Sequence, residues 1–118
     1  MISINTSFHP FRMKLSRREP VQFTVELTNK GDETRKISMD VILSRELSLD
    51  KGGLLYNTSK RIDSLAPGKT QEFFFDIFPK HITRSGDHGI LIKVLEHYQE
   101  YKYVEKEYKK RLELQIED

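Results

Sequence analysis

Apolar and polar residues alternate along most of this chain. The clearest stretch runs from Val21 to Leu43: V-Q-F-T-V-E-L-T, a polar N-K-G-D-E-T, then R-K-I-S-M-D-V-I-L. A period of two marks a half-buried β-strand, because successive side chains point to opposite faces of the pleat. Val21, Phe23, Val25 and Leu27 form the inward set of one strand, Val21 to Thr28. Ile37, Met39, Val41 and Leu43 form that of the next, Arg35 to Ser44. Asn29 to Thr34 is the turn between them, with Gly31 expected to supply a positive φ.

The pattern continues on both sides. Ile2 and Ile4 open a first edge strand, Pro10 interrupts it, and Phe11, Met13 and Leu15 resume it. Proline has no N–H to give a ladder, so this first strand is expected in two halves. Ser16 to Pro20 then reads as a charged turn. Arg45 to Ser59 is less regular: Leu47 and Leu49 alternate, Lys51-Gly52-Gly53 breaks the pattern, and Leu54, Leu55 and Tyr56 read as a short edge strand or a loop packed on the core. Lys60 to Leu65 is a short strand anchored by Ile62, and Ala66-Pro67-Gly68-Lys69 is a turn. Gln71 to Phe78 is a phenylalanine-rich strand ended by Pro79, followed by a polar loop from Lys80 to His88 and a strand from Gly89 to His97. Val104 and Tyr108 share the parity of Leu112, Leu114 and Ile116, which predicts a closing strand from near Tyr103; a helix over Glu96 to Arg111 is the alternative. About seven short strands with regular turn signals and no amphipathic helix predict an all-β fold, an immunoglobulin-like antiparallel β-sandwich forming one domain over residues 1–118.

Composition narrows the function classes. A chain of 118 residues is long enough to bury a core, and the absence of cysteine removes disulfides and thiolate chemistry. The opening M-I-S-I-N-T-S-F has neither a basic region nor a continuous apolar run, and no stretch approaches the roughly 20 apolar residues of a membrane span. A cytoplasmic location is expected if Met1 is the native start, and an extracellular one if a signal or upstream domains were removed. Twenty Lys and Arg against 18 Asp and Glu leave a net charge of +2, not the basic face of a nucleic-acid binder. Charged residues at 32%, with no Cys or Trp, are compatible with a thermophile.

R-E-P-V-Q-F-T-V-E-L-T-N-K-G-D-E-T resembles the strand-and-turn signature of bacterial and archaeal immunoglobulin-like modules, the CARDB and NEW3 types and the repeats of archaeal surface-layer proteins. D-S-L-A-P-G-K-T-Q-E-F-F-F-D-I is similar to their Pro-Gly turn into the next strand, and G-D-H-G-I-L-I-K-V to their late strand. The likeness covers about Met13 to Glu117. It implies an adhesion, spacer or assembly role, mostly outside the cell. The chain departs from the pattern at Arg18, where the family has Gly, and at His88, which precedes Gly89. Y-Q-E-Y-K-Y-V-E-K-E-Y replaces the family's acidic, Asn-rich stretch, which removes the inherited case for calcium.

No catalytic constellation emerges. Pro67-Gly68-Lys69-Thr70 echoes the end of a phosphate loop, but Asp63 stands where that motif needs Gly and a Phe-rich strand follows instead of a helix. Of His9, His81, His88 and His97, only His81 and His88 bracket one loop, with Asp87; exposed loop histidines are the simpler reading, and a hydrolase site at these three residues is kept as a third hypothesis. Asn5-Thr6-Ser7 and Asn57-Thr58-Ser59 match the N-glycosylation acceptor. Tyr98, Tyr101, Tyr103 and Tyr108 interleave with Lys102, Lys106, Lys109, Lys110 and Arg111, but the acids among them favour a charge-guarded edge strand over nucleic-acid stacking. No cofactor and no metal are expected.

One feature exceeds what the fold needs. Ile42, Leu91 and Leu95 are out of phase with the inward residues of their strands, as are Phe74 and Phe78. In an immunoglobulin-type sandwich the first three share one outer face and the two phenylalanines lie on the opposite sheet. Exposed apolar clusters mark contact surfaces; the alternative is that a loop such as Arg45 to Ser59 covers them. The leading expectation is therefore a non-enzymatic protein-interaction or structural assembly module that binds a protein partner or itself, with a cell-surface assembly as one setting. The alternative is a carbohydrate- or surface-binding module using Tyr98, Tyr101 and Tyr103.

Overall fold

Alternation along the chain becomes nine strands: β1 (Ile2–His9), β2 (Arg12–Lys14), β3 (Val21–Asn29), β4 (Arg35–Leu43), β5 (Leu47–Ser48), β6 (Asn57–Leu65), β7 (Thr70–Pro79), β8 (Gly86–His97) and β9 (Val104–Glu117). The computed structural model describes residues 1–118. One sheet has the order β1-β3-β7-β5 and the other β2-β9-β8-β4-β6. Neighbours are antiparallel except β2 and β9, which run parallel. The two sheets enclose a core of 18 buried apolar residues, which includes every inward residue expected of β3 and β4. The fold is the expected immunoglobulin-like β-sandwich.

The strand count is nine rather than about seven, and the physical reason lies in two places. The chain changes sheets at His9–Pro10: β1 pairs with β3 in one sheet and β2 with β9 in the other. The expected halves of one strand are thus two strands of different sheets. Met13 keeps its inward place, whereas Phe11 is exposed and Leu15 enters a single 3₁₀ turn, Leu15–Arg17. The second source is β5, two residues long. Leu54 and Leu55 form neither a strand nor a packed loop but stand exposed, and β6 begins at Asn57, earlier than expected. Residues after His97 turn and then form β9, so the strand and not the helix occupies the tail.

The two turns singled out in the sequence meet at one end of the sandwich. Asn29 is fully buried; its Nδ2 donates to the carbonyls of Leu65 and Glu33, each at 2.8 Å, and its Oδ1 accepts from the Gly31 amide at 2.9 Å. The Gly68 amide donates to the Asn29 carbonyl at 2.8 Å, and the Asn29 amide to the Lys69 carbonyl at 3.1 Å. Every polar group of this buried residue is paired, as burial requires. Gly31 does not take a positive φ. Its lack of a side chain leaves room, since a Cβ there would lie 3.2 Å from both Asn29 Oδ1 and Met1 N. Gly68 does take one, at 76°. Arg18, where the resembling modules have Gly, is also left-handed at φ 54°.

The two flanks of the sandwich differ. On the β1–β9 flank the Ile2 amide donates to Tyr108 Oη and Lys110 Nζ to the Ile4 carbonyl, both at 3.2 Å. Tyr108 Oη in turn donates to Glu96 Oε2 at 2.9 Å. Burial first, then the bond to Glu96, raises the Tyr108 hydroxyl above the ordinary phenol value. Glu96 is buried and paired with Arg35 at 3.4 Å, and Arg35 also reaches Glu105 at 2.9 Å and Glu33 at 3.1 Å. Side chains therefore stitch that flank shut. Nothing comparable closes the flank between β6 and β7.

Candidate functional site

β7 pairs with β3 from Thr70 to Ile77 on one side, and on the other with β5 only at Phe78 and Pro79. Its second edge is therefore open from Thr70 to Ile77. The cause is local to the segment after β5. The Ser48 hydroxyl donates to the Asp50 carboxylate, which also accepts from the amides of Leu54 at 3.0 Å and Leu55 at 2.9 Å. Leu49 N–H closes on the Leu55 carbonyl at 2.6 Å. These bonds fold the chain back on itself, so β5 stops after Ser48 instead of continuing beside β7. The Ser48 hydroxyl first, then the Leu55 and Leu54 amides, hold the Asp50 carboxyl below the usual carboxylate range.

The open flank is apolar. Phe74 stands on the outer face of β7 with 59% of its surface exposed, and Leu54 at the tip of the neighbouring loop is 86% exposed. Leu55 and Tyr56 are also exposed. Between them lies a cleft of about 220 Å³ lined by Leu49 and Leu55 of the loop, Thr58 and Lys60 of β6, and Phe74, Phe75, Asp76 and Phe78 of β7. Phe73, Phe75 and Ile62 face the core yet remain half-buried, because nothing seals this side.

The outer face of the same sheet has a distinct charge. Its β7 residues are Thr70, Glu72, Phe74, Asp76 and Phe78; beside them on β3 lie Thr28, Glu26, Thr24 and Gln22, and beyond, on β1, Ser3, Asn5, Ser7 and His9. Glu72 and Glu26 are directly opposite each other. Three carboxylates and no Lys or Arg occupy these rows, so the face is acidic.

The second candidate surface lies on the other sheet. Ile42 and Leu91 are cross-strand partners, half-buried, with Arg111 next in the row. Leu95 lies two rows away, opposite Ser38 and Glu107, and the row Asp40–Lys93–Lys109 separates it from Leu91. The structure thus brings Ile42 and Leu91 together and sets Leu95 apart. Phe74 and Phe78 lie on the opposite sheet, as expected, and Phe78 is half-buried beside β5.

The tyrosines and histidines are dispersed. Tyr98 and Tyr103 are exposed, but Tyr101 is half-buried with its ring 5.1 Å from that of His97 and 4.4 Å from the Arg61 guanidinium. Its hydroxyl donates to Asp63. Burial first, then Asp63, pushes that hydroxyl up to about 12. The three tyrosines therefore do not form one platform. His81 is exposed, whereas Asp87 and His88 are successive residues of β8 that face opposite sides. The expected exposed loop histidine is buried: His88 Nε2 donates to the Arg84 carbonyl at 2.7 Å, and Nδ1 lies 3.6 Å from Glu46. Parity with Ile90, Ile92 and Val94 was the sequence signal for that inward place. His97 is buried as well, with Nε2 2.7 Å from Ser38 Oγ. Glu72 and Asp76 carry no signal of their own in the sequence, and Leu54 reads there only as part of an edge strand or packed loop, because what matters about all three is the open edge beside them.

Comparison with known proteins gives fold without family. No protein-family model matches the chain, and no curated protein matches it. Among solved structures it is similar to native alpha-2-macroglobulin from Escherichia coli, spanning domain MG7 to the C-terminus, with a TM-score of 0.73 and 17% identity over 98% of this chain and 16% of that one. It thus spans about a sixth of that protein piece. A FixG-related protein from Vibrio parahaemolyticus is similar with a TM-score of 0.59 and 12% identity over 98% of this chain and 95% of that one. The putative ApaA protein from Bordetella pertussis follows at 0.56 and 16%, over 98% and 92%. At such identities the likeness is one of β-sandwich architecture.

Proposed function

We propose that this chain is a non-enzymatic interaction or assembly module whose contact surface is the β6–β7 flank. One observation carries the reading: Phe74 is 59% exposed in the middle of a strand edge that has no neighbour. An exposed edge strand is a template for pairing, and exposed aromatic side chains are favoured anchors of protein interfaces. Leu54, Leu55 and Tyr56 extend the apolar area along the same flank. Two further points support the reading. The turn signature resembles that of CARDB-type and surface-layer modules, which serve as spacers and contacts. The E. coli macroglobulin match covers only 16% of that chain, so the same architecture occurs there as one part among others.

The test uses a photoreactive phenylalanine analogue at position 74, at position 91, and at position 107 on the charged β9 edge as control. The expected result, in cells that make the protein naturally, is a discrete protein adduct from position 74 and none from 107. Absence of adducts from both 74 and 91 in folded protein refutes the contact reading. Adducts from 91 alone move the surface to the Ile42–Leu91 face.

A further inference from the structure

We propose that β7 accepts an extended segment of another polypeptide as an added strand, and that the core of this segment reads basic–apolar–apolar–apolar–basic. The proposal rests on the contact reading above and names the partner's chemistry.

The place for such a strand is already begun. β5 lies antiparallel to β7, with Leu47 opposite Pro79 and Ser48 opposite Phe78. The row then stops, and the edge from Ile77 back to Thr70 presents backbone N–H and C=O groups without a strand to receive them. The other free edges are guarded. β9 carries Lys106, Lys109, Lys110 and Arg111, β6 carries Lys60 and Arg61, and β1 is stitched to β9 by Tyr108 and Lys110. Between Thr70 and Phe78, β7 has no Lys, Arg or Pro and no irregularity in its register with β3. Lysine, proline and bulges are the usual protections of an edge; this edge has none of these and carries only the two carboxylates, Glu72 and Asp76, as charges.

The side chains flanking the vacancy specify what fits. Residues of an added strand that lie opposite Glu72, Phe74 and Asp76 share the outer face with them; those opposite Phe73 and Phe75 face inward, the one at Phe75 beside the cleft. Glu72 and Asp76, with Glu26 one row behind, make basic residues favourable at the two ends of the five. Phe74 favours an apolar residue at the centre, and half-buried Phe73 and Phe75 favour apolar residues between. A second copy of the chain is a poorer occupant: antiparallel pairing of β7 with itself about Phe74 places Glu72 opposite Asp76 twice.

The probe is a blocked peptide with a Lys-Val-Val-Val-Lys core and threonine flanks, read by NMR hydrogen exchange on the whole chain. The expected result is saturable slowing at alternate amides between Gln71 and Ile77. A Glu-Val-Val-Val-Glu peptide is expected to bind about tenfold more weakly, because two cross-strand charge pairs change sign. The double variant Glu72→Lys/Asp76→Lys reverses the preference, and N-methylation of the alternate peptide amides that face β7 abolishes binding. Equal binding of both peptides, binding by the N-methylated peptide, or no slowing in β7 overturns the proposal, and these arms need only the unmodified protein. Slowing in β7 that rises with protein concentration without peptide assigns the edge to a second copy and overturns it too. Adducts at position 74 combined with no peptide binding remove strand addition and leave the contact reading standing.

Discussion

Replacing Asn29 tests whether its buried side chain joins the two turns at one end of the sandwich. Asn29→Ala removes two donated bonds and one accepted bond. The Leu65 carbonyl lies in the buried part of that network and loses its side-chain partner, at a cost of about 2 kcal/mol. The Glu33 carbonyl and the Gly31 amide are partly accessible, and water restores much of each bond, leaving about 0.5 kcal/mol apiece. The expected loss is therefore about 3 kcal/mol. At about 0.25 kcal/mol per kelvin of unfolding entropy for a chain of this length, the unfolding midpoint falls by about 12 °C. Urea denaturation followed by circular dichroism, with a thermal scan beside it, measures both. Asn29→Asp is the sharper arm. It keeps the acceptor for Gly31 but turns an oxygen toward two carbonyls, so it is expected to cost more than alanine at neutral pH and to recover in part as acid protonates it. A loss below about 1 kcal/mol for alanine, or an aspartate variant milder than alanine, refutes the account.

The remaining predictions concern the flank stitch and the loop that ends β5. Arg35→Ala takes the guanidinium from the buried Glu96 carboxylate, which keeps the Tyr108 hydroxyl and the Met1 ammonium at 3.5 Å, and should cost about 2 kcal/mol in urea denaturation, whereas adding Glu96→Gln should restore part of it; a double variant no better than the single one counts against a buried ion pair. The Asp50 carboxyl is lowered in the folded protein, so the support it gives the Leu54 and Leu55 amides is fully present above the ordinary carboxylate value of about 3.9 and is lost as pH falls through its lower folded value. Amide exchange at Leu54 and Leu55, corrected for its intrinsic pH dependence, should quicken across that acid window, and Asp50→Asn should show less protection at neutral pH. Equal protection in the variant would show that the loop is held by other bonds.

Much of the fold was legible because each signal was local. The inward sets of β3, β4 and β8 followed from a two-residue period, and Phe74 declared itself by standing beside two phenylalanines of opposite parity. Gly31 does not serve its turn through a positive φ; what bears on it is crowding, since a Cβ there would lie 3.2 Å from both Asn29 Oδ1 and Met1 N. The polar neighbours of His88 suggest a loop, although its parity with Ile90, Ile92 and Val94 points inward, where it is buried.

The sequence by itself determined which face the side chains of β3, β4 and β8 take, where the turns after β3 and β6 fall, and that the result is a β-sandwich. Those are short-range properties, set by the pleat and by the backbone freedom of a few residues. The tertiary structure alone decided that the halves of the first strand go to different sheets, that Leu95 is separated from Leu91, and that one flank is stitched while the other is open. Strand neighbours are chosen by contacts between residues far apart in sequence, and no periodicity records them. The open edge of β7 is such a decision: its apolar residues were visible from the start, but the vacancy beside them exists because a loop held by Asp50 ends β5 after two residues.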